Sequence, residues 1–150
     1  MSAHLNRFTI SLPTDDRDRA MSFYRDVFEL ELVGEPEADG IPEPLQFRLG
    51  DGVLLALIPT GGLAGALGER DLASSGVSEC VLGYAVDAGA EVDELVRRIR
   101  DAGGSVLTEA VSEDCGYTAL CADPDGHAWQ ITAEAAPGTD VVAAVGGRDG

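Results

Sequence analysis

At 150 residues, of which 45% are hydrophobic, the chain has the length and composition of one compact domain with a buried core. Its 27 acidic residues and ten basic residues, all of them Arg, give a formal net charge of −17. A surface this acidic argues against binding to nucleic acids or to anionic membranes, and it would attract a cationic ligand or partner.

Targeting signals and paired cysteines are missing from the sequence. The N-terminus shows no basic stretch followed by an apolar run, and no apolar run approaches the roughly 20 residues of a membrane-spanning helix. Cys80, Cys115 and Cys121 form an odd set without a close pairing motif. We therefore expect a cytoplasmic protein in which the two cysteines of strand-like runs act as small buried hydrophobes, with a Cys115–Cys121 redox pair as the alternative.

The first half of the chain predicts a strand, a helix and three further strands. The alternating run 8–12 is typical of a strand, and apolar residues at helical spacing predict a helix from about Asp15 or Asp16 to Phe28. Thr14 can cap this helix, and the two aspartates suit the positive end of its dipole. The three strands are predicted at Glu29–Val33, Pro44–Leu49 and Val53–Ile58.

The second half repeats this order after a segment rich in Gly, Ala and Ser. Residues 59–77 have the composition of a linker or a mobile cover, and residues 137–150 that of a loosely held tail. Between them lie a predicted strand at 81–86 and a helix from about Ala90 to Ala102, which stops at Gly103-Gly104. Three more strands follow, at Ser105–Ala110, Tyr117–Ala122 and His127–Thr132.

The two halves form an internal repeat. The apolar stripe of the first helix recurs 72 residues later, and the Asp-Gly turn before the last strand recurs 74 residues later. A repeat of this length makes each unit one supersecondary module that cannot bury its apolar face alone. We place the modules at about 5–58 and 78–134.

Two motifs carry a family resemblance. The Ser-x-Tyr-Arg-Asp-Val core of Pro13–Glu31 and the hairpin sequence of Asp123–Gln130 resemble the vicinal oxygen chelate superfamily, which includes glyoxalases, bleomycin-resistance proteins and extradiol dioxygenases. The resemblance implies an α+β fold in which two βαβββ modules form a curled mixed sheet around a cleft, within a single domain over 1–150. It also implies a homodimer.

In metal-dependent members of this superfamily, four side chains from equivalent strands bind one divalent ion. Within this sequence, the resemblance and the two repeat offsets put those positions at Thr9, Ala56, Val81 and Gln130. Divalent ions need carboxylate, imidazole or thiolate donors, and this set offers only a hydroxyl and an amide. We therefore expect no bound metal and no cofactor.

Other catalytic motifs are not supported by the sequence. His127 lies beside Gln130, but strand alternation turns it toward the helix layer with Trp129, so we interpret it as a strand-end histidine. His4 lies near the terminus, and two histidines support no catalytic triad. No Gly-rich phosphate loop joins a strand to a helix.

Polar residues that alternate with apolar ones are the candidates for lining the cleft. Polar faces of the first strand and of the run 44–49 would point away from the helices, and two tyrosines could add aromatic walls. The alternative is that these faces are solvated or lie in a dimer interface. The predicted ligand-binding residues are Thr9, Ser11, Gln46, Arg48, Tyr84, Tyr117 and Gln130.

Three functions are compatible with these features. We favour a metal-independent protein that binds a small metabolite or antibiotic in a dimer cleft, and the acidic surface would suit a cationic one. The second is a lyase, isomerase or dioxygenase, either metal-dependent or metal-free with Glu109, Asp114 or Tyr117 as acid or base. The third is an accessory protein without a small ligand, joined to a partner through 59–77.

Overall fold

The computed structural model describes residues 7–68 and 70–134. His4 and the predicted tail at 137–150 lie outside the described residues. The chain divides between Ser75 and Gly76 into two compact units, which we call unit 1 and unit 2.

Unit 1 contains a four-stranded mixed sheet with two helices. The strand order is β1-β4-β3-β2, in which β1 runs parallel to β4 and the other neighbours are antiparallel. The predicted order strand, helix and three strands is present, and a second helix follows. The elements are β1 (Phe8–Thr14), α1 (Arg17–Asp26), β2 (Glu31–Val33), β3 (Leu45–Gly50), β4 (Val53–Pro59) and α2 (Thr60–Ala66).

Unit 2 repeats this topology with one helix. Its strand order is β5-β8-β7-β6, with β5 parallel to β8, so the predicted α+β fold of two βαβββ modules is confirmed. None of the helices in the described ranges combines the length and the hydropathy that a membrane crossing requires. The elements are β5 (Leu82–Val86), α3 (Gly89–Asp101), β6 (Ser105–Glu113), β7 (Gly116–Ala122) and β8 (Ala128–Glu134).

Each unit has its own core, formed where the apolar stripe of a helix packs on one face of a sheet. In unit 1 the ring of Tyr24 on α1 is fully buried, 5.9 Å from the ring of Phe47 on β3 and stacked on Phe28. In unit 2 the buried stripe of α3 covers a sheet face that carries the buried Trp129 and Ile131.

The helix α1 begins one residue later than expected, and its cap is Asp16 rather than Thr14. The carboxylate Oδ1 of Asp16 accepts a hydrogen bond of 3.0 Å from the backbone N–H of Arg19. The hydroxyl of Thr14 instead accepts from the N–H of Asp16 at 3.2 Å, because β1 continues through Thr14 and leaves this residue extended. Both residues stabilise the turn into the helix.

The segment 59–77 was predicted to be a linker or cover, but it begins with α2. Three glycines give this helix a low intrinsic propensity, which is why the sequence does not predict it. Its first residue is fixed by the hydroxyl of Thr60, which donates 2.6 Å to Asp15 Oδ1 and lies 3.2 Å from the carbonyl of Thr14. The helix packs against β1 and β4, so tertiary contacts outweigh propensity here.

Arg17 holds the long connection between β2 and β3 against α1. Its Nη2 donates 2.7 Å to the carbonyl oxygen of Pro42 and lies 2.7 Å from Glu43 Oε1. The planar guanidinium can contact a carbonyl and a carboxylate together, which an ammonium group cannot do with the same geometry. Arg17 thereby fixes the connection that leads directly into β3.

The cysteines differ in exposure. Cys115 and Cys121 are buried, whereas Cys80 is exposed because it lies before the start of β5. Burial raises the pKa of the Cys121 thiol. The strand β7 between the two buried cysteines is extended, and at about 3.3 Å per residue it separates them far beyond the reach of a disulfide. This geometry contradicts the alternative of a Cys115–Cys121 pair.

We expect Gly104→Ala to destabilise the protein by about 1–3 kcal/mol, because overpacking shifts the surrounding backbone. A Cβ at Gly104 would lie 2.5 Å from the carbonyl oxygen of Ala122 and 2.7 Å from Ile99 Cγ2. Gly83→Ala is the matched control, since a Cβ there meets no atom within 4 Å. Urea unfolding followed by the fluorescence of the single Trp measures both variants. Equal midpoints would contradict the close packing at Gly104.

We expect Asp123→Ala to cost about 1–3 kcal/mol of stability, with a smaller loss for Asp123→Asn. Asp123 is 2% exposed, and its Oδ1 accepts hydrogen bonds from the backbone N–H groups of Asp125 (3.0 Å) and His127 (2.8 Å). Alanine leaves both donors without this acceptor, whereas asparagine retains an oxygen. Thermal unfolding of the two variants at one pH provides the comparison. If alanine is tolerated as well as asparagine, the acceptor is not what stabilises the turn.

Candidate functional site

The register of the unit 1 sheet determines which side chains share a face. Ile10, Leu55 and Phe47 lie opposite one another on β1, β4 and β3, and Phe47 contacts Tyr24 of α1. Side chains alternate along a strand, so the neighbours of these three residues point to the other side of the sheet. We call that other side open face 1.

Open face 1 brings together four of the predicted ligand-binding residues. Ser11 and Gln46 are both paired with Ala56, and Thr9 and Arg48 are both paired with Leu54. The central strand β4 thus contributes an apolar strip, in which Leu54 is half-buried and Ala56 is buried, with polar side chains from β1 on one side and from β3 on the other. The two polar rows are two strand spacings apart, roughly 10 Å, which is wide enough for a small organic ring.

The polar groups on open face 1 are available for a ligand. Thr9, Ser11 and Arg48 are exposed and Gln46 is half-buried. Within the described ranges, the side chains of Thr9, Ser11 and Gln46 make no hydrogen bond to protein. Arg48 is held by one partner, Glu31 on β2, whose Oε1 lies 3.2 Å from the Arg48 Nε. An apolar strip with a few convergent polar groups is the usual composition of a small-molecule site.

The unit 2 sheet places Gln130 on the face turned away from α3, which we call open face 2. Gln130 is exposed on β8 and is paired with Gly83 on one side and Leu120 on the other. Two residues further along, the hydroxyls of Thr132 and Thr118 lie 2.9 Å apart on the same face. Open face 2 therefore carries neutral hydrogen-bonding groups around Gln130.

Tyr84 and Tyr117 do not lie on open face 2. Tyr84 is paired with the buried Ile131, which places it on the face that α3 covers. The hydroxyl of Tyr117 donates a 2.8 Å hydrogen bond to Asp93 on α3, and this bond raises the pKa of the tyrosine. The structure thus separates the two tyrosines from Gln130, on the opposite side of the same sheet.

The four positions implied for a metal ion do not fit one. Thr9 and Gln130 are exposed in strands and offer a hydroxyl and an amide, whereas Ala56 is buried and Val81, 51% exposed, precedes β5. No cluster of three His, Cys, Asp or Glu side chains able to hold a metal occurs among residues 7–68 and 70–134. Neutral oxygens and hydrocarbons of this kind are not a donor set for a divalent ion.

His127 and Glu109 occupy structural positions. His127 precedes β8 and completes the turn that Asp123 organises, with its carbonyl oxygen accepting from the Asp123 N–H at 2.9 Å. Trp129 is buried on the helix side, as alternation predicts. Glu109, a candidate acid or base, is ion-paired with Arg100 of α3. None of the three lies on the open faces as a free catalytic group.

Sequence reasoning missed Glu31, Thr118 and Thr132 as members of the open faces. Glu31 lies opposite Arg48 across β2 and β3, and this pairing depends on the register of two strands joined by a long connection. Thr118 could have been recognised, because it alternates with Ala119 on a strand whose helix-facing side is apolar. The hydroxyl pair itself depends on the register of β7 with β8.

Comparisons with known proteins agree on the family. A family model described as Glyoxalase/Bleomycin resistance protein/Dioxygenase superfamily matches residues 4–131. No curated protein matches the chain.

Solved structures share the fold over most of their length. A glyoxalase-related enzyme from Fulvimarina pelagi is 27% identical with a TM-score of 0.71, and the match covers 87% of each chain. A lactoylglutathione lyase from Agrobacterium tumefaciens is 26% identical with a TM-score of 0.56, covering 86% of this chain and 92% of the other. A hypothetical protein from S. aureus, 22% identical, has a TM-score of 0.70 and covers 86% of this chain and 92% of its own. The chain belongs to the Glyoxalase/Bleomycin resistance protein/Dioxygenase superfamily.

Proposed function

We propose that this chain is a binding protein for a small organic molecule and that it acts without a metal ion. The observation that carries the proposal is the composition of open face 1. There, the half-buried Leu54 lies between polar side chains of β1 and β3, which make no hydrogen bond or ion pair within residues 7–68 and 70–134 apart from the Arg48–Glu31 pair. Such a surface offers both apolar contact and hydrogen bonds to a ligand.

The donor set supports metal independence. Members that carry out lyase or dioxygenase chemistry with a metal need the ion to polarise oxygens of the substrate. In this chain two of the four implied positions are hydrocarbon side chains, Ala56 and Val81, and the other two are neutral. A protein of this superfamily that lacks metal-binding side chains at these four positions still has the scaffold and its open faces. Those faces support the binding of a small molecule.

The acidic surface favours a ligand that carries positive charge. With a formal net charge of −17, the long-range field concentrates cations and repels polyanions. A cationic metabolite or antibiotic is therefore the favoured class. The open faces supply the short-range contacts, since charge alone gives little selectivity.

An enzymatic role is the second candidate, and the similarity to a lactoylglutathione lyase and to a glyoxalase-related enzyme supports it. Both likenesses are below 30% identity. The donor positions of this chain do not support the metal-dependent form of that chemistry. A metal-free form would need an acid or base close to a bound substrate, and Glu109 is engaged by Arg100.

Metal content separates these two candidates directly. Protein purified without chelators is expected to contain well below one equivalent of any divalent ion per chain, because no suitable donor set occurs at the implied positions. Inductively coupled plasma mass spectrometry measures this content, and dialysis against chelator should leave the folded protein unchanged. One equivalent of zinc, nickel, manganese or iron, lost to chelator together with a measurable activity, would replace the binding proposal with the enzymatic one.

Ligand binding can be localised with paired variants. In calorimetric titrations with a panel of cationic metabolites and glycopeptide-like antibiotics, we expect at least one compound to bind. Gln46→Ala should then weaken this binding roughly 5- to 10-fold, which is the size of one hydrogen bond. Gln130→Ala tests open face 2 in the same way.

Tyr117→Phe is the matched control for these titrations. It removes a hydroxyl that is bonded to Asp93 on the helix side, so the affinity should not change. No binding to any compound, with every variant folded, would count against the proposed function. An effect of Tyr117→Phe equal to that of Gln46→Ala would mean that the open faces are not the site.

A further inference from the structure

The one ion pair on open face 1 of the described chain joins the edge strand β2 to its neighbour β3. Arg48 and Glu31 lie directly opposite each other on β3 and β2, and the Arg48 Nε is 3.2 Å from Glu31 Oε1. Both side chains remain accessible, with 48% of the Arg48 side chain and 68% of the Glu31 side chain exposed. Leu54 and Thr9 continue the same row across β4 and β1.

The geometry of this pair leaves both charges able to bind a further group. Arg48 uses only its Nε in the pair, so its terminal nitrogens Nη1 and Nη2 have no protein partner among residues 7–68 and 70–134. Glu31 likewise uses only Oε1, and Oε2 has no partner in the same ranges. A guanidinium and a carboxylate are therefore held side by side, each with a hydrogen-bonding edge facing out.

Stability alone does not account for this pair. An exposed ion pair contributes about 0.2–1 kcal/mol or less, since salt and water screen it. Unit 2 has the same strand topology but no ion pair at this position in its described residues. At the equivalent row, Ala128 is paired with Ala122, which is paired with Ser105. A charged pair at this row is thus dispensable for building the sheet.

We propose that Arg48 and Glu31 bind the zwitterionic head group of an amino-acid-like ligand. The terminal nitrogens of Arg48 donate to the ligand carboxylate, and Glu31 Oε2 accepts from the ligand ammonium. This inference rests on the proposed function and names the class of ligand that open face 1 takes. A zwitterion has no net charge, so the acidic surface does not concentrate it as it would a cation, and Arg48 and Glu31 must recognise it through short-range contacts.

The surroundings of the pair suit the remainder of such a molecule. Leu54 is half-buried and lies beside Arg48 in the row, so an apolar side chain can lie against it; Ala56 follows on the same face of β4 but is buried. Gln46 precedes Arg48 on the same face and can add a hydrogen bond to the carboxylate. Small polar residues of β1 border the other side of the strip.

A set of four phenylalanine derivatives tests the two charges separately. Phenylalanine is zwitterionic, phenylalaninamide is cationic, N-acetylphenylalanine is anionic and N-acetylphenylalaninamide is neutral. We expect NMR titrations of the isotopically labelled full chain to show the tightest binding for phenylalanine and the weakest for the neutral compound. The shifts should centre on the Arg48 Nε–H and on the backbone amides of β2 and β3.

Charge-neutral variants then assign each contact. Arg48→Gln should weaken phenylalanine and N-acetylphenylalanine roughly tenfold and leave phenylalaninamide unchanged, because a charged hydrogen bond is lost only to the carboxylate. Glu31→Gln should weaken phenylalanine and phenylalaninamide in the same way and spare N-acetylphenylalanine. The exposed pair of Arg97 with Glu94 on α3 provides the controls Arg97→Gln and Glu94→Gln, which should change none of the four affinities.

The two proposals fail in different ways. If a compound of the wider calorimetric panel binds open face 1 but the four derivatives show no charge preference, or Arg48→Gln acts on all four alike, the zwitterion inference is wrong while the binding function stands. If neither the wider panel nor any derivative binds, the binding function itself is wrong. If Arg97→Gln weakens binding as much as Arg48→Gln does, the loss of affinity comes from the change in net charge and not from a contact with Arg48. This result would also overturn the inference.

Discussion

The parallel pairing of β1 with β4, repeated by β5 with β8, is the constraint on which the rest of this molecule depends. It places the last strand of each module in the centre of its sheet and the first strand at its edge. The register then decides the side of every residue, because a slip by one position would exchange the two faces. In unit 1 this register buries Leu55 and Phe47 under α1 and leaves Ala56 with Ser11 and Gln46 on the other side.

Duplication preserved this frame and allowed the two open faces to diverge. Where unit 1 has Ala56 beside the polar Ser11 and Gln46, unit 2 has the polar Gln130 beside Gly83 and Leu120. The chemistry of the faces has changed while the backbone pairing is the same. This is expected where the changed residues are exposed, since exposed side chains such as Gln130 contribute little to either core.

Much of the fold could be predicted because its signals are local. Helical stripes and strand alternation gave the order of elements, and the repeat gave their grouping, whereas α2 was missed because Thr60 and its neighbours form a helix only through contacts with β1, β4 and Asp15. The open-face positions of Thr9, Ser11, Gln46, Arg48 and Gln130 followed from alternation.

Two features of the site were not predicted: the side of the sheet on which the tyrosines lie and the pairing of Arg48 with Glu31. The side taken by Tyr84 and Tyr117 was in principle readable, since Tyr84 alternates in step with the apolar Leu82 and Val86, and Tyr117 with the buried Ala119 and Cys121. The pairing of Arg48 with Glu31 was not readable, because two strands separated by a long connection have no register in the sequence.

All ten basic residues of this chain are arginines, and this has a chemical consequence. Arg17 fastens the connection before β3, Arg48 faces Glu31, and Arg97 and Arg100 brace α3. A guanidinium group is not a target of lysine acetylation, and the sequence contains no side-chain amine that acetylation could neutralise. The electrostatic character of this protein is therefore insensitive to lysine-directed modification.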